Sequence, residues 1–241
     1  MARPFLTARW DSLLMLSYVC PAEVLEPLVP AGTTLDLWQG EALVSLVGFR
    51  FLETRLGGVP VPFHRRFEEV NLRFYVVRET SAGEVRRAVT FVRELVPRWA
   101  IATVARVVYN EPYLAVPMGH DVAVDPATGG RVAYTWRHGG ERYALRGTAS
   151  GPAAPAAAGS EAQFVTEHYW GYTRQRDGGT LEYQVEHPPW ALWTLDAAAF
   201  EGPPAPLYGA AFADVLAGPP RSALLAVGSE VAVHAGRRVA L

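Results

Sequence analysis

The sequence predicts an α+β, mainly β fold: a curled antiparallel sheet or barrel with a few helices, forming one domain over residues 1–241. Three observations lead there. Short extended segments recur between turns rich in glycine and proline, of which there are 22 and 19. Two long segments, Phe67–Arg78 and Glu84–Val96, alternate polar and apolar residues as strands do. Half the residues are apolar, enough for a sizeable core.

In chain order, the apolar run Leu13–Cys20 follows Arg3 and Arg9. Asp11 interrupts it and bulky Tyr18 and Val19 precede Cys20, so it reads as part of the folded domain, not as a leader. Thr33–Trp38 and Ala42–Phe51 suggest a hairpin across Gln39 and Gly40, the second strand buried on both faces. The pair Phe67–Arg78 and Glu84–Val96 turns at Ser81, Ala82 and Gly83. In its first strand Val70, Leu72, Phe74 and Val76 form one face, and Glu69, Asn71, Arg73 and Tyr75 the other. In its second, Val89, Phe91 and Leu95 share a face with Arg93, a lone cation that needs a carboxylate or water.

Pro97 opens a helix whose stripe runs through Ala100, Val104, Val107 and Val108 to Asn110, with Arg98 in its first turn. Leu114–Val124, Arg131–Arg137 and Arg142–Ser150 read as a strand meander, and Gly151–Ser160 as a low-complexity loop. Gln163–His168 suggests a short helix, Thr180–Glu186 a strand, Leu207–Leu216 a helix, and Ala223–Val233 with Arg238–Leu241 the last strands.

A formal net charge of -2 argues against nucleic acid or an anionic membrane surface as a partner. No stretch reaches the ~18 apolar residues of a membrane span. The single cysteine excludes an internal disulfide, and a cytoplasmic location is the simplest reading. A small-molecule ligand is the expected partner, with a homo-oligomer compatible. There is no nucleophile elbow, phosphate loop or dinucleotide fingerprint, so no cofactor is expected. The six histidines are scattered and no metal site is expected. All 22 basic residues counted as Lys+Arg are arginine, which excludes chemistry on a lysine amine.

The polar run His64, Arg65, Arg66, Phe67, Glu68, Glu69, followed by Asn71 and Arg73, could clamp a carboxylate or carbonyl group and move a proton. Glu68, Glu69, His64 and Arg98 are the candidate catalytic residues. Arg73, Arg93 and Asn71 are candidate ligand contacts, together with the aromatic and imidazole groups of His168, Tyr172, His187 and Trp190. Mixed charges at a strand entrance also suit a solvated surface pairing, and the aromatic residues also suit a core.

FLTARWDSLLM, LVPAGTTLDL, ALVSLVGFRF, PFHRRFEEVNLRFY, FVTEHYWGY and VEHPPW, running from Phe5 to Trp190, resemble the YqjF-type family of conserved proteins of unknown function. That family is placed in the acetoacetate decarboxylase-like superfamily. The resemblance implies one domain with a large curved antiparallel sheet closing into a cone-like barrel around a small-ligand cavity. In true acetoacetate decarboxylases a cavity lysine forms a Schiff base with a β-keto acid. The resemblance implies that Arg98 stands at that position and that Glu68 or Glu69 stands for the family's glutamates. A lysine-free chain with this fold would bind a small, anionic or carbonyl-containing ligand without Schiff-base decarboxylation. The alternative is a lysine-independent enzyme, with Glu and His as acid and base and Arg as carboxylate clamp.

Overall fold

The computed structural model describes residues 3–100, 102–103 and 110–239. Its main strands are β1 (Leu6–Val19), β2 (Leu43–Leu56), β3 (Phe67–Glu79), β4 (Val85–Val96), β5 (Tyr113–Ala115), β6 (Met118–Asp125), β7 (Gly129–His138), β8 (Glu141–Ser150), β9 (Trp170–Arg174), β10 (Thr180–Glu186), β11 (Ala191–Thr194), β12 (Ala197–Glu201) and β13 (Ser222–Val233). The larger sheet is curved and runs β11-β13-β1-β2-β3-β4-β9-β10 through its middle. All these neighbours are antiparallel except β4 with β9. β10 also pairs with β13, Val185 opposite Val233, so the sheet's far regions meet. β5 lies parallel to β4. A smaller sheet, β12-β8-β7-β6, covers one face of the larger one.

Both faces of the large sheet are therefore buried. Leu14, Leu46, Leu72 and Phe74 pack towards Tyr134 and Leu145 of the smaller sheet, while Leu13, Met15, Val47, Phe49 and Tyr75 form a second cluster on the inner face. This explains the near-continuous apolar stretches of β1 and β2, since a strand covered on both sides has no polar face to show. The run Leu13–Cys20 supplies much of β1 and is central to the sheet.

Several sequence expectations need correction. Gln39 and Gly40 do turn the chain with positive φ, and Trp38 bridges Glu41, but Thr34 and Leu35 pair with Val77 and Val76 of β3 instead of with β2. The expected strand Leu114–Val124 is divided into β5 and β6 by Val116 and Pro117. The helix expected over Leu207–Leu216 is broken at Gly209, whose φ of 89° leaves the helical region, giving Ala205–Tyr208 and Ala213–Ala217. The short helix Glu161–Thr166 starts where Ser160 accepts a hydrogen bond from the Gln163 amide. Most of the helix read from Pro97, including Val104, Val107 and Val108, lies outside the described residues, as does the end of the strand expected over Arg238–Leu241; Trp99 and Ala100 are helical. Among the described residues no helix is long and apolar enough to cross a membrane.

Candidate functional site

On its inner face the sheet lines a partly open cavity of about 300 Å3, with residues of β1, β2, β3, β4, β5, β9, β10 and β13 in its wall. One part of the wall is aromatic. Trp10 meets Phe49, Phe51 and Trp190 at ring-centroid distances of 5.3, 6.0 and 6.2 Å, Phe67 stacks on Phe51 at 4.6 Å, and the His187 ring stacks on Trp190 at 4.1 Å. Such walls hold apolar or planar ligand bodies and exclude water.

The other part is acidic. Glu69, Glu94 and Glu111 line the cavity and are 3%, 2% and 6% exposed. Sheet register brings them together. Asn71 of β3 stands opposite Glu94 of β4, which stands beside Tyr113 of β5, so one row crosses three strands. Glu69 and Glu111 lie two residues before Asn71 and Tyr113. Glu69 accepts hydrogen bonds from Asn71 Nδ2 at 2.9 Å and from the Tyr113 hydroxyl at 3.0 Å. Glu111 accepts from the Thr173 hydroxyl and from the Tyr183 hydroxyl, the latter at 3.0 Å. Glu94 contacts Glu111, and its Oε2 has no hydrogen-bond partner among the described residues.

Burial is the main reason these carboxyls hold their protons. It pushes Glu69 and Glu111 up to about 7 against the hydrogen bonds each accepts, and Glu94 goes well above the usual carboxylate range through burial and the neighbouring Glu111 and Glu69. Carboxyl groups neutral or half-ionised near pH 7 can donate as well as accept protons.

Farther along β3, Arg73 NH2 donates to the Val165 carbonyl at 3.0 Å, while its Nε is buried with no partner among the described residues. His168 follows, its Nε2 paired with Asp36 at 3.1 Å and its Nδ1 buried and unpartnered among those residues. Burial lowers its pKa to about 4 despite Asp36, so the ring is neutral near pH 7. With Nε2–H donated to Asp36, Nδ1 is left as an acceptor.

Of the residues singled out from sequence, Glu69, Asn71, Arg73, His64, His168, His187 and Trp190 line this one cavity. Four do not. Glu68 points to the opposite face of β3, as strand alternation requires, where it pairs with His120 at 2.6 Å. Arg93 donates to the Leu207 carbonyl at 3.3 Å away from the cavity. Tyr172 is buried in the outer core with its hydroxyl donating to Glu182 at 3.0 Å. Arg98 is exposed, which keeps its obligatory charge in water.

Glu94, Glu111, Tyr113 and Tyr183 were not marked by the sequence. A bulge explains Glu94. Register slips between Leu72↔Arg93 and Arg73↔Phe91, so Val92 is extra. Strict alternation from Val89 and Phe91 would face Arg93 inward; the extra residue turns Glu94 inward instead. A carboxylate inside the apolar end of a long strand was the available signal. Glu111 read as the exit of a helix and Tyr113 carried no signal, and only the parallel pairing of β5 with β4 carries them to the site. Among the described residues no three acidic, histidine or cysteine groups are spaced to ligate a metal ion.

Gly171 of β9 stands opposite Tyr183, and a Cβ there would lie 2.2 Å from the tyrosine Cζ. Gly171→Ala is expected to push Tyr183 off Glu111 and lower the melting temperature by roughly 4–8 °C, a cost of about 2 kcal/mol in a chain of this size. Thermal unfolding followed by circular dichroism reads it, and an unchanged midpoint would show that the tyrosine has room to move.

Residues 7–230 match the family model described as DUF2071, Uncharacterized conserved protein (COG2071). The chain belongs to the DUF2071 family. A relative within reach of this match, the Uncharacterized protein YqjF of Bacillus subtilis (strain 168), is 28% identical over 193 residues, covering 78% of this chain and 75% of that protein. The DUF2071 chain is also similar to solved structures. Acetoacetate decarboxylase from Legionella pneumophila superposes with a TM-score of 0.67 at 14% identity, over 99% of this chain and 88% of that one. An acetoacetate decarboxylase-like enzyme from Sphingomonas wittichii RW1 gives 0.65 at 14%, over 100% and 94%. The enduracididine biosynthesis enzyme MppR, complexed with the condensation product of pyruvate and imidazole 4-carboxaldehyde, gives 0.65 at 12%, over 98% and 90%. At these identities the likeness is one of fold.

Proposed function

We propose that this DUF2071 protein binds a small carbonyl compound with an apolar body in the inner cavity, holds an anionic end of it on Arg73, and forms no Schiff base with it. The β13–β10 pairing is read here as the seam of a barrel around that cavity. The observation that carries the proposal is the buried, unpartnered Nε of Arg73 on a residue lining an aromatic-walled cavity. An unmet buried donor costs about 1–3 kcal/mol, which a bound carboxylate would recover. Neutral carboxyls beside it suit a carbonyl oxygen as hydrogen-bond acceptor. The same fold holds pyruvate in one solved relative, the MppR enzyme. The chain's own composition excludes a lysine imine.

Titration calorimetry with phenylpyruvate and with 2-oxobutyrate tests this. Binding of phenylpyruvate is expected, and Arg73→Gln is expected to raise Kd by roughly 10–100-fold, the loss of a charge-assisted contact. No heat of binding from either compound, or equal affinity in the variant, would count against the proposal.

A further inference from the structure

The acidic part of the cavity contains more proton-transfer groups than binding one ligand requires. Glu69, Glu94 and Glu111 are buried around a row of three strands, and two acceptor atoms there lack partners among the described residues: Glu94 Oε2 and Asn71 Oδ1. Asn71 is 2% exposed, lines the cavity, and is turned into the cluster by its hydrogen bond to Glu69, so a polar side chain outside the carboxyl set also has an unmet acceptor there. Glu94 also interacts with the side chains of Glu111 and Tyr113. Glu111 in turn is held by Thr173 and Tyr183, both placed to support a carboxylate.

Resting on the ligand reading above, we infer that Glu94 and Glu111 form a proton relay which, with Glu69 as the partner acid, enolises a bound carbonyl compound, making the cavity a lysine-independent tautomerising site. In the step, the C–H bond next to the carbonyl breaks and Glu94 Oε2 takes the proton. The proton on the other Glu94 oxygen passes to the Glu111 carboxylate. The C–H electron pair becomes the C=C bond, and the carbonyl π pair forms an O–H bond with the proton of Glu69, whose carboxylate keeps its hydrogen bonds from Asn71 and Tyr113. No oxidant, amine or metal enters the balance. Reversal after exchange with solvent returns the ketone with a hydrogen isotope from water.

The test follows loss of the C3 proton signals of phenylpyruvate by NMR in D2O near pD 7, with and without the full-length protein, beside calorimetric Kd values. The unsubstituted protein is expected to accelerate exchange well above buffer. Glu94→Gln is similar in size and leaves Arg73 in place, so it is expected to keep Kd within about threefold while reducing protein-dependent exchange by roughly 100-fold, the scale of a lost acid-base group. Glu111→Gln, which removes the end of the relay, is expected to do the same. Binding without accelerated exchange, or exchange untouched in both variants, overturns the relay and leaves the binding reading standing. Absence of phenylpyruvate binding overturns both.

Discussion

Glu94→Gln is expected to make the protein more stable than the unsubstituted chain at pH 8, with the advantage shrinking as the pH falls towards 5. The reason is proton linkage. Glu94 is held protonated in the fold but ionises near 4.5 once unfolded. Its stabilising contribution is therefore complete below that value and is lost as pH rises through the window up to its folded value. Each pH unit in the window costs about 1.4 kcal/mol. Glutamine, always neutral, avoids the loss. Glu69 and Glu111 act with the same sign between 4.5 and about 7. His168 acts with the opposite sign: its folded value near 4 lies below the ordinary 6.5, so its contribution is present above 6.5 and is lost as pH falls towards 4.

His187, which burial also lowers, acts with the sign of His168, and the three carboxyls outweigh these two imidazoles, so the unsubstituted protein should gain stability as the pH is lowered from 8 to about 5. Urea unfolding at intervals across that range measures the slope. Identical slopes for Glu94→Gln and the unsubstituted chain would mean that Glu94 is not held neutral. A variant that is more stable yet inactive in proton exchange would identify the cluster as a site maintained at the expense of stability.

Tyr134→Ala is expected to cost about 3–5 kcal/mol, a large effect for a single substitution in this protein. Tyr134 is fully buried between the two sheets, its hydroxyl donating to the Ser12 carbonyl at 2.8 Å. Its ring lies where a side chain on β2 would otherwise be: a Cβ at Gly48 would sit 2.6 Å from Tyr134 Cδ2. Removing the ring leaves a cavity between rigid sheets that cannot close. Tyr134→Phe removes only the hydroxyl and should cost about 1 kcal/mol. Denaturant unfolding of the pair separates ring packing from the hydrogen bond. A loss under 1 kcal/mol for the alanine variant would show that the sheets collapse onto each other.

Much of β3 was legible in the sequence. The alternation Glu69, Asn71, Arg73, Tyr75 against Val70, Leu72, Phe74, Val76 separated the two faces correctly, because side chains on a regular strand have no choice of face. The same rule misplaced Arg93, because one bulged residue reverses every face beyond it, and nothing local marks Val92 as that residue. Arg98 and Glu68 were singled out by charge, by position and by the family resemblance. Their exposure and outward pairing follow from where β4 ends and from which face of β3 meets the second sheet.

The sequence by itself determined the mainly β class, the resemblance to the YqjF-type family, the polar face of β3 and the exclusion of lysine chemistry, since these depend on residue identity and on local periodicity. The tertiary structure alone decided that Glu94, Glu111, Tyr113 and Tyr183 join Glu69 around one cavity. Those residues come from four strands and from the segment just before β5, and their convergence is set by sheet register, a bulge and the parallel docking of β5, none of which is encoded within reach of any one of them along the chain.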